Sequence, residues 1–378
     1  MQFMEADRNL CDKLLPGLRS TLADIPLAEL ETEDSPAIEI FRAHGGTNLM
    51  VPAVYGGLDA SALDAARVVR ALGAVAPSMT VATMMHHFSL GTLFAVAETV
   101  KDSGLEEILL RRVVEDRMLV ASGFAEGRPG QGIFTPGMTA RPVDGGYLIN
   151  GSKKPCSLAR SMDLLTASVG LPMADGSTAM GLLMLPARTP GVSIHPFWST
   201  FALAGAESQE VRLTDVLVTP EHIIQPDPEF AVQMEKLTTV GLIWFQMTVC
   251  AAYTGVASAL VERVLEGGRG SVTERAGLAV RIESAAALTE GLARRVMDGE
   301  TDNDTLATAL VTRFAVQDAV SAATSQAVEL LGGIAYIGSS DVAYLAAAAH
   351  AIAFHPPSRS SMAGGLVDYY AGYPIVVS

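Results

Sequence analysis

The sequence predicts an α+β chain in three parts: an N-terminal helical domain over 1–117, a middle antiparallel β domain over 118–226, and a C-terminal four-helix bundle over 227–378. Three observations carry this reading. Apolar residues recur at helical spacing before about residue 117 and again after about 227. Between those limits the apolar runs shorten, and Gly and Pro become frequent. The order is helices, then strands, then helices, which is segregated and unlike the alternation of a Rossmann sheet.

In the first part, residues 64–73 place Ala65, Val68, Val69 and Leu72 on one face, and Asp59 or Ser61 can cap the start of that helix. Residues 78–100 are rich in Ala and Met and read as helix. Within them, 78–97 is apolar enough to raise the question of a membrane span. It contains His86, His87 and several Ser and Thr, with only Lys101 as a nearby basic flank, so a buried helix is expected. Residues 105–116 are amphipathic, with Arg111 and Arg112 on one shoulder.

The middle part has strand-like runs at 147–150, 164–169, 179–185, 192–195 and 210–213. Asp144-Gly145-Gly146 suits a hairpin turn. In the last part, helical periodicity covers 232–265, 276–297, 305–331 and 342–353. Gly267, Gly268 and Gly270 close the first of these, and Gly332-Gly333 the third. Alanine-dense faces predict close helix packing.

Composition narrows the function classes. Hydrophobic residues make up 49% and charged residues 18%, which suits a large core and excludes disorder as the main state. With 26 basic and 41 acidic residues the net charge is −15, opposite in sign to what binding nucleic acid or an anionic membrane requires. Three widely spaced cysteines, Cys11, Cys156 and Cys250, suggest neither a disulfide framework nor a zinc site and point to a reducing, cytoplasmic setting. Residues 1–15 carry acids and no apolar stretch of signal-peptide length. No metal site is expected, since His86 and His87 are adjacent and project about 100° apart on a helix. No GxGxxG follows a strand, and nucleophile-elbow and phosphate-loop motifs are missing.

Four short motifs, in order, resemble the acyl-CoA dehydrogenase family. Ile149-Asn150-Gly151-Ser152-Lys153 is similar to that family's ING-x-K strand. Residues 122–132 stand where the family has a segment of the form TEPGxGSD, with Glu126 at its acidic position. Leu213-Thr214-Asp215-Val216, with Val218 and Pro220, resembles FEDVxVP, and residues 328–333 resemble the QxxGG helix end, with Glu329 at the Gln position.

The resemblance implies FAD between the β domain and the bundle, in a homodimer or homotetramer whose neighbouring subunit completes the site. It places Ser122, Phe124, Ala125 and Gln131 along the flavin and pyrophosphate, and Pro155 and Ser157 beside the ring. A Ser157 hydroxyl can donate to the flavin edge. Glu329, Gly333, Ser358 and Ser360 match adenosine and pyrophosphate contacts. Trp244, Phe245, His87, Phe354 and Pro356 fall near the substrate channel, where bulky aromatics would favour a small substrate.

The departures bear on the chemistry. Dehydrogenation of an acyl thioester needs a carboxylate to remove the α-proton. Counting along the motifs, the family's two alternative Glu positions fall at Pro356 and Phe245, neither of which titrates. The family's RxxFG segment, whose Arg reaches the partner's pyrophosphate, is replaced by a shorter stretch at 266–275, where Arg269 or Arg275 is the candidate anion partner. His355, next to the vacant Glu position, is the candidate general base.

Three functions follow as competing expectations. The first is an FAD oxidoreductase acting on a small acyl thioester linked to CoA or to an acyl carrier protein, as in secondary metabolism. The second is a flavin-dependent monooxygenase that hydroxylates a phenol or an amine and needs no such base. The third is an inactive binding scaffold.

Overall fold

A computed structural model describes residues 2–97, 105–126, 135–224 and 228–377. The N-terminal part is helical throughout: α1 (Glu5–Leu14), α2 (Leu18–Ala23), α3 (Leu27–Leu30), α4 (Ala37–Ala43), α5 (Ala62–Gly73), α6 (Pro77–Ala97) and α7 (Leu105–Glu115). Ser61, rather than Asp59, caps α5: its hydroxyl accepts from the Asp64 amide, and the Asp64 carboxylate accepts from the Ser61 amide in return. The apolar α6 is a core helix, as expected. Met79, Ala82, Met84, His86 and Leu90 on it are fully buried.

Eight strands form one sheet: β1 (Val120–Gly123), β2 (Thr139–Val143), β3 (Gly146–Cys156), β4 (Leu164–Pro172), β5 (Thr178–Pro186), β6 (Val192–His195), β7 (Gln209–Val218) and β8 (Ile223–Ile224). Their order is β6-β7-β3-β2-β4-β5-β8, with β1 beside β4. The hairpin at Asp144-Gly145 joins β2 to β3, and Gly145 sits at φ +82°. Pairing is antiparallel except where β1 and β2 meet β4 in parallel. Neither β1 nor β2 was expected from the sequence.

The C-terminal part holds α8 (Pro228–Glu266), α9 (Val272–Met297), α10 (Asn303–Gly338), α11 (Ser340–His350) and α12 (Arg359–Tyr370). Gly268 and Gly270, both at positive φ, turn the chain from α8 into α9. Gly332, at φ +83°, kinks α10 instead of ending it. The central element is α8, which packs against α5, α6, α9, α10 and α11. It is long and apolar enough to cross a membrane, yet 94% of its apolar window is buried, so its apolarity is satisfied by the protein's own core. Gly73 and Gly255 let α5 and α8 touch backbone to backbone. A Cβ at Gly255 would lie 2.1 Å from the Arg70 carbonyl oxygen.

Candidate active site

The sheet, α6, α8 and the turn after α11 enclose an apolar cavity of ≈ 220 Å³. Its sheet wall carries Ser122 at β1, Phe124 and Ala125 just beyond it, Pro155 and Ser157 at the end of β3, and Thr166 on β4. Trp198 and Ser208 close that wall from the β6–β7 connection. The helical wall presents Met85, Phe88 and Thr92 from α6, and Leu242, Phe245 and Tyr253 from α8. The turn contributes Phe354, His355 and Pro356.

Polar groups are few and sit at defined places. Ser157 Oγ and Ser208 Oγ are 2.9 Å apart, so one hydroxyl hydrogen of the pair remains free for a ligand. Thr166 donates to the Ala121 carbonyl at 3.0 Å. The Ser122 hydroxyl has no partner among the described residues. On the opposite wall, Ser89 and Thr92 donate back to Met85 and Phe88 of their own helix. A flat heteroaromatic ring with polar edge atoms fits this wall: apolar faces flank it, and the unused hydroxyl capacity of Ser122 and of the Ser157–Ser208 pair meets its edge. The residues present therefore suit a flavin ring.

No Asp, Glu, Lys or Arg is among the described residues that line the cavity. Phe245 and Pro356, at the two vacant Glu positions, both face it, and among the described residues no carboxylate from elsewhere replaces them. Behind Pro155, the buried Lys153 donates to Glu126 Oε1 at 2.7 Å and to Ser168 Oγ at 2.9 Å. Glu126 also accepts from the amides of Gly137 and Met138. Burial pushes this carboxyl up, but the Lys153 ammonium and the amides outweigh it and hold it below the usual range.

His355 lies against the cavity with its Nε2 2.7 Å from the Tyr253 hydroxyl. Its ring meets Phe245 and Tyr253 edge-on. Burial first, and then the Arg313 guanidinium, hold the imidazole down to about 3, so it is neutral in ordinary buffers. Gln246 Nε2 reaches the Pro356 carbonyl at 3.4 Å.

The remaining sequence candidates divide. Phe354 is at the mouth, 84% exposed. Two substrate-channel expectations are corrected. Trp244 does not line the cavity, because it faces the other way and packs on α6, where a Cβ on Gly91 would lie 2.5 Å from its ring. His87 is sealed in the core against Phe41 and His86. Its neighbour His86 bonds the Thr47 carbonyl and the Val120 amide, tying α6 to β1. Glu329, Gly333, Arg269, Ser358 and Ser360 are all exposed and away from the cavity. Ser358 caps α12 through the Ser361 amide. Gln131 lies outside the described residues. Sequence reasoning missed Tyr253 and Ser208, which carry no motif and reach the site only through the packing of α8 and the sheet.

No protein-family model matches the chain. Over all 378 residues, and the whole of both chains, it is 49% identical to isobutylamine N-hydroxylase of Streptomyces viridifaciens. The chain belongs to the acyl-CoA dehydrogenase-like flavoproteins. Members of this family are flavin-dependent oxidoreductases, and two solved ones share the fold at low identity. FMN-bound TdsC from Paenibacillus sp. A11-2 superposes with a TM-score of 0.83 at 16% identity, over 99% of each chain. The prolyl acyl carrier protein oxidase AnaB superposes with a TM-score of 0.82 at 17% identity, over 98% of this chain and 99% of that one. The helix–sheet–helix order expected of this family is the one described above.

Proposed function

We propose that this protein is a flavin-dependent monooxygenase that N-hydroxylates a small primary amine. The observation that carries the reading is the cavity itself, which has no carboxylate or other charged side chain among its described lining residues. Removing a proton α to a thioester carbonyl calls for a positioned base. His355, held down to about 3, is a weak one, which argues against the thioester dehydrogenation expected first from the sequence. Transfer of an oxygen atom to an amine nitrogen needs no such base, because the nitrogen lone pair is the nucleophile. The 49% identity to an enzyme named for hydroxylating isobutylamine supports the same reading. So do the apolar side chains of Phe88, Leu242 and Phe245 on the helical wall, which suit a small alkyl group.

The flavin, when bound and reduced, supplies the electrons that activate dioxygen. This chain's residues do the rest. Pro155, Phe124 and Trp198 would flank the ring, while Ser122, Ser157 and Ser208 would meet its edge. Phe88 and Phe245 would exclude water from the reacting side. FAD, the form implied by the sequence resemblance, would run its adenosine half past surface positions such as Ser358, Ser360, Glu329, Gly333 and Arg269. FMN would not need them. The three buried free thiols support a reducing, cytoplasmic setting.

Acyl-CoA and acyl carrier protein substrates remain the competing reading, since AnaB is named for one. A single assay separates the two. Protein loaded with flavin, reduced and exposed to air in the presence of isobutylamine is expected to yield the alkylhydroxylamine, detected by mass spectrometry. Anaerobic bleaching of the oxidised flavin by an acyl thioester, with no hydroxylamine in air, would replace this proposal with a dehydrogenase.

A further inference from the structure

The structure assigns the cavity a preference for one protonation state of its substrate: we infer that it takes a small alkylamine as the neutral free base, with His355 Nδ1 as hydrogen-bond partner, and rejects the alkylammonium ion. This rests on the amine-hydroxylating reading and names what that site recognises.

The first support is what surrounds the cavity. An ammonium ion moved from water into an apolar site must find an anion there, or its desolvation goes uncompensated. No Asp or Glu is among the described lining residues. The buried charge that acts on His355 has the wrong sign for an ammonium. Arg313 on α10 is 1% exposed, donates to Gln317 Oε1 at 3.1 Å and to the Ile352 carbonyl, and has no carboxylate partner among the described residues. Asp318, on the same helix, is bound by Arg359 of α12. The unneutralised Arg313 thus stands behind the turn that carries His355 and opposes a second cation in front of it.

The second support is the hydrogen-bonding geometry. His355 Nε2 is taken by Tyr253, whereas Nδ1 has no partner among the described residues. A neutral amine both donates and accepts, so it complements Nδ1 in either imidazole tautomer. An ammonium only donates. Of the ionisable groups around His355, Tyr253 from α8 bonds it and Arg313 from α10 is a constant cation, and Cys250 from α8 shares the field of Arg313. Burial pushes the Cys250 thiol up to about 12 and the Tyr253 phenol above its usual range, while His355 is held down to about 3 by burial and Arg313. The amine is therefore the group that titrates. Its neutral form is also the one with the lone pair that oxygen transfer requires.

The test is equilibrium binding to the oxidised, flavin-loaded protein, followed through the visible flavin spectrum or by calorimetry. Isobutylamine is titrated at successive pH values from neutrality toward its own pKa. Its apparent Kd is expected to fall about tenfold per pH unit. Trifluoroethylamine, whose ammonium already dissociates below neutrality, is expected to bind with a Kd that does not move over the same range. His355→Phe is expected to weaken both amines about tenfold at every pH, while flavin content is unchanged and His355→Gln restores most of the loss. A Kd for isobutylamine that is flat or rises with pH would overturn the free-base preference. Unchanged affinity in a flavin-loaded His355→Phe protein would remove His355 from the site. Binding as expected with no hydroxylamine formed under turnover would sink the monooxygenase reading and leave this one standing.

Discussion

His87 is fully buried on α6, and neither ring nitrogen has a partner among the described residues. Burial, and secondarily His86, lower its pKa from 6.5 to about 3. The unfolded chain binds this proton more readily, so the stability due to the neutral ring is full above 6.5 and is lost as pH falls toward 3. His87→Phe should raise the melting temperature at neutral pH and flatten the decline below 6.5, as seen in melts at stepped pH. A steeper decline would contradict this account. Trp244 and Phe245 offer a second contrast. Trp244→Ala should cost about 3–5 kcal/mol of stability while amine affinity in the folded protein is retained. Phe245→Ala should widen the cavity and lower KM for amines bulkier than isobutylamine. Counting back along α8 brought Phe245 to the cavity because a helix fixes residue spacing, whereas Pro356 reaches it from the turn after α11. The same geometry made Trp244 and His87 misleading. Neighbours on a helix point about 100° apart, so only one residue of each adjacent pair can face a given wall.

Among the elements, α1, α5 and α9 are locked by a buried ionic knot. Arg70 donates to both Asp7 oxygens at 2.6 and 2.7 Å and to Glu290 Oε1 at 2.8 Å, and Arg67 holds the other Glu290 oxygen at 2.9 Å. Burial pushes the Glu290 carboxyl up, but the two guanidinium groups outweigh it and bring the group from 4.5 to about 2. A carboxyl depressed in this way contributes stability that is complete above 4.5 and disappears as pH falls through 2. Glu290→Gln should therefore lower stability at neutral pH and shrink the loss between 4.5 and 2 in acid titrations read by circular dichroism. Removal of one partner also leaves Arg70 partly uncompensated in the core. The long helices were legible from the sequence because each repeats its apolar spacing over several turns. The four-residue β1 and the proline-bearing β2 were not, since a short strand is fixed by its partners rather than by its own pattern. The ionic knot was hidden for a related reason: its members lie far apart in sequence.

At the scale of the molecule, past the kink in α10, the chain exposes Ile334 at 86%, Ile337 at 83% and Tyr336 at 49%. A second copy of the chain covering this patch would agree with the dimer or tetramer expected from the sequence resemblance. Light scattering should give a mass of two or four chains, and Ile334→Glu combined with Ile337→Glu should shift it downward. A monomeric wild type would contradict that expectation. The three layers themselves, and the position of the cavity where the sheet meets the bundle, followed from the order of apolar periods and four weak motifs. The chemistry depended on what those positions no longer contain, which only the assembled walls make visible. The most direct test of the central claim is turnover of isobutylamine by the reduced, flavin-loaded protein under isotopically labelled dioxygen. The account predicts an alkylhydroxylamine whose oxygen carries the label. Hydroxylamine without label, or no oxygenated amine alongside desaturation of an added acyl thioester, would contradict it.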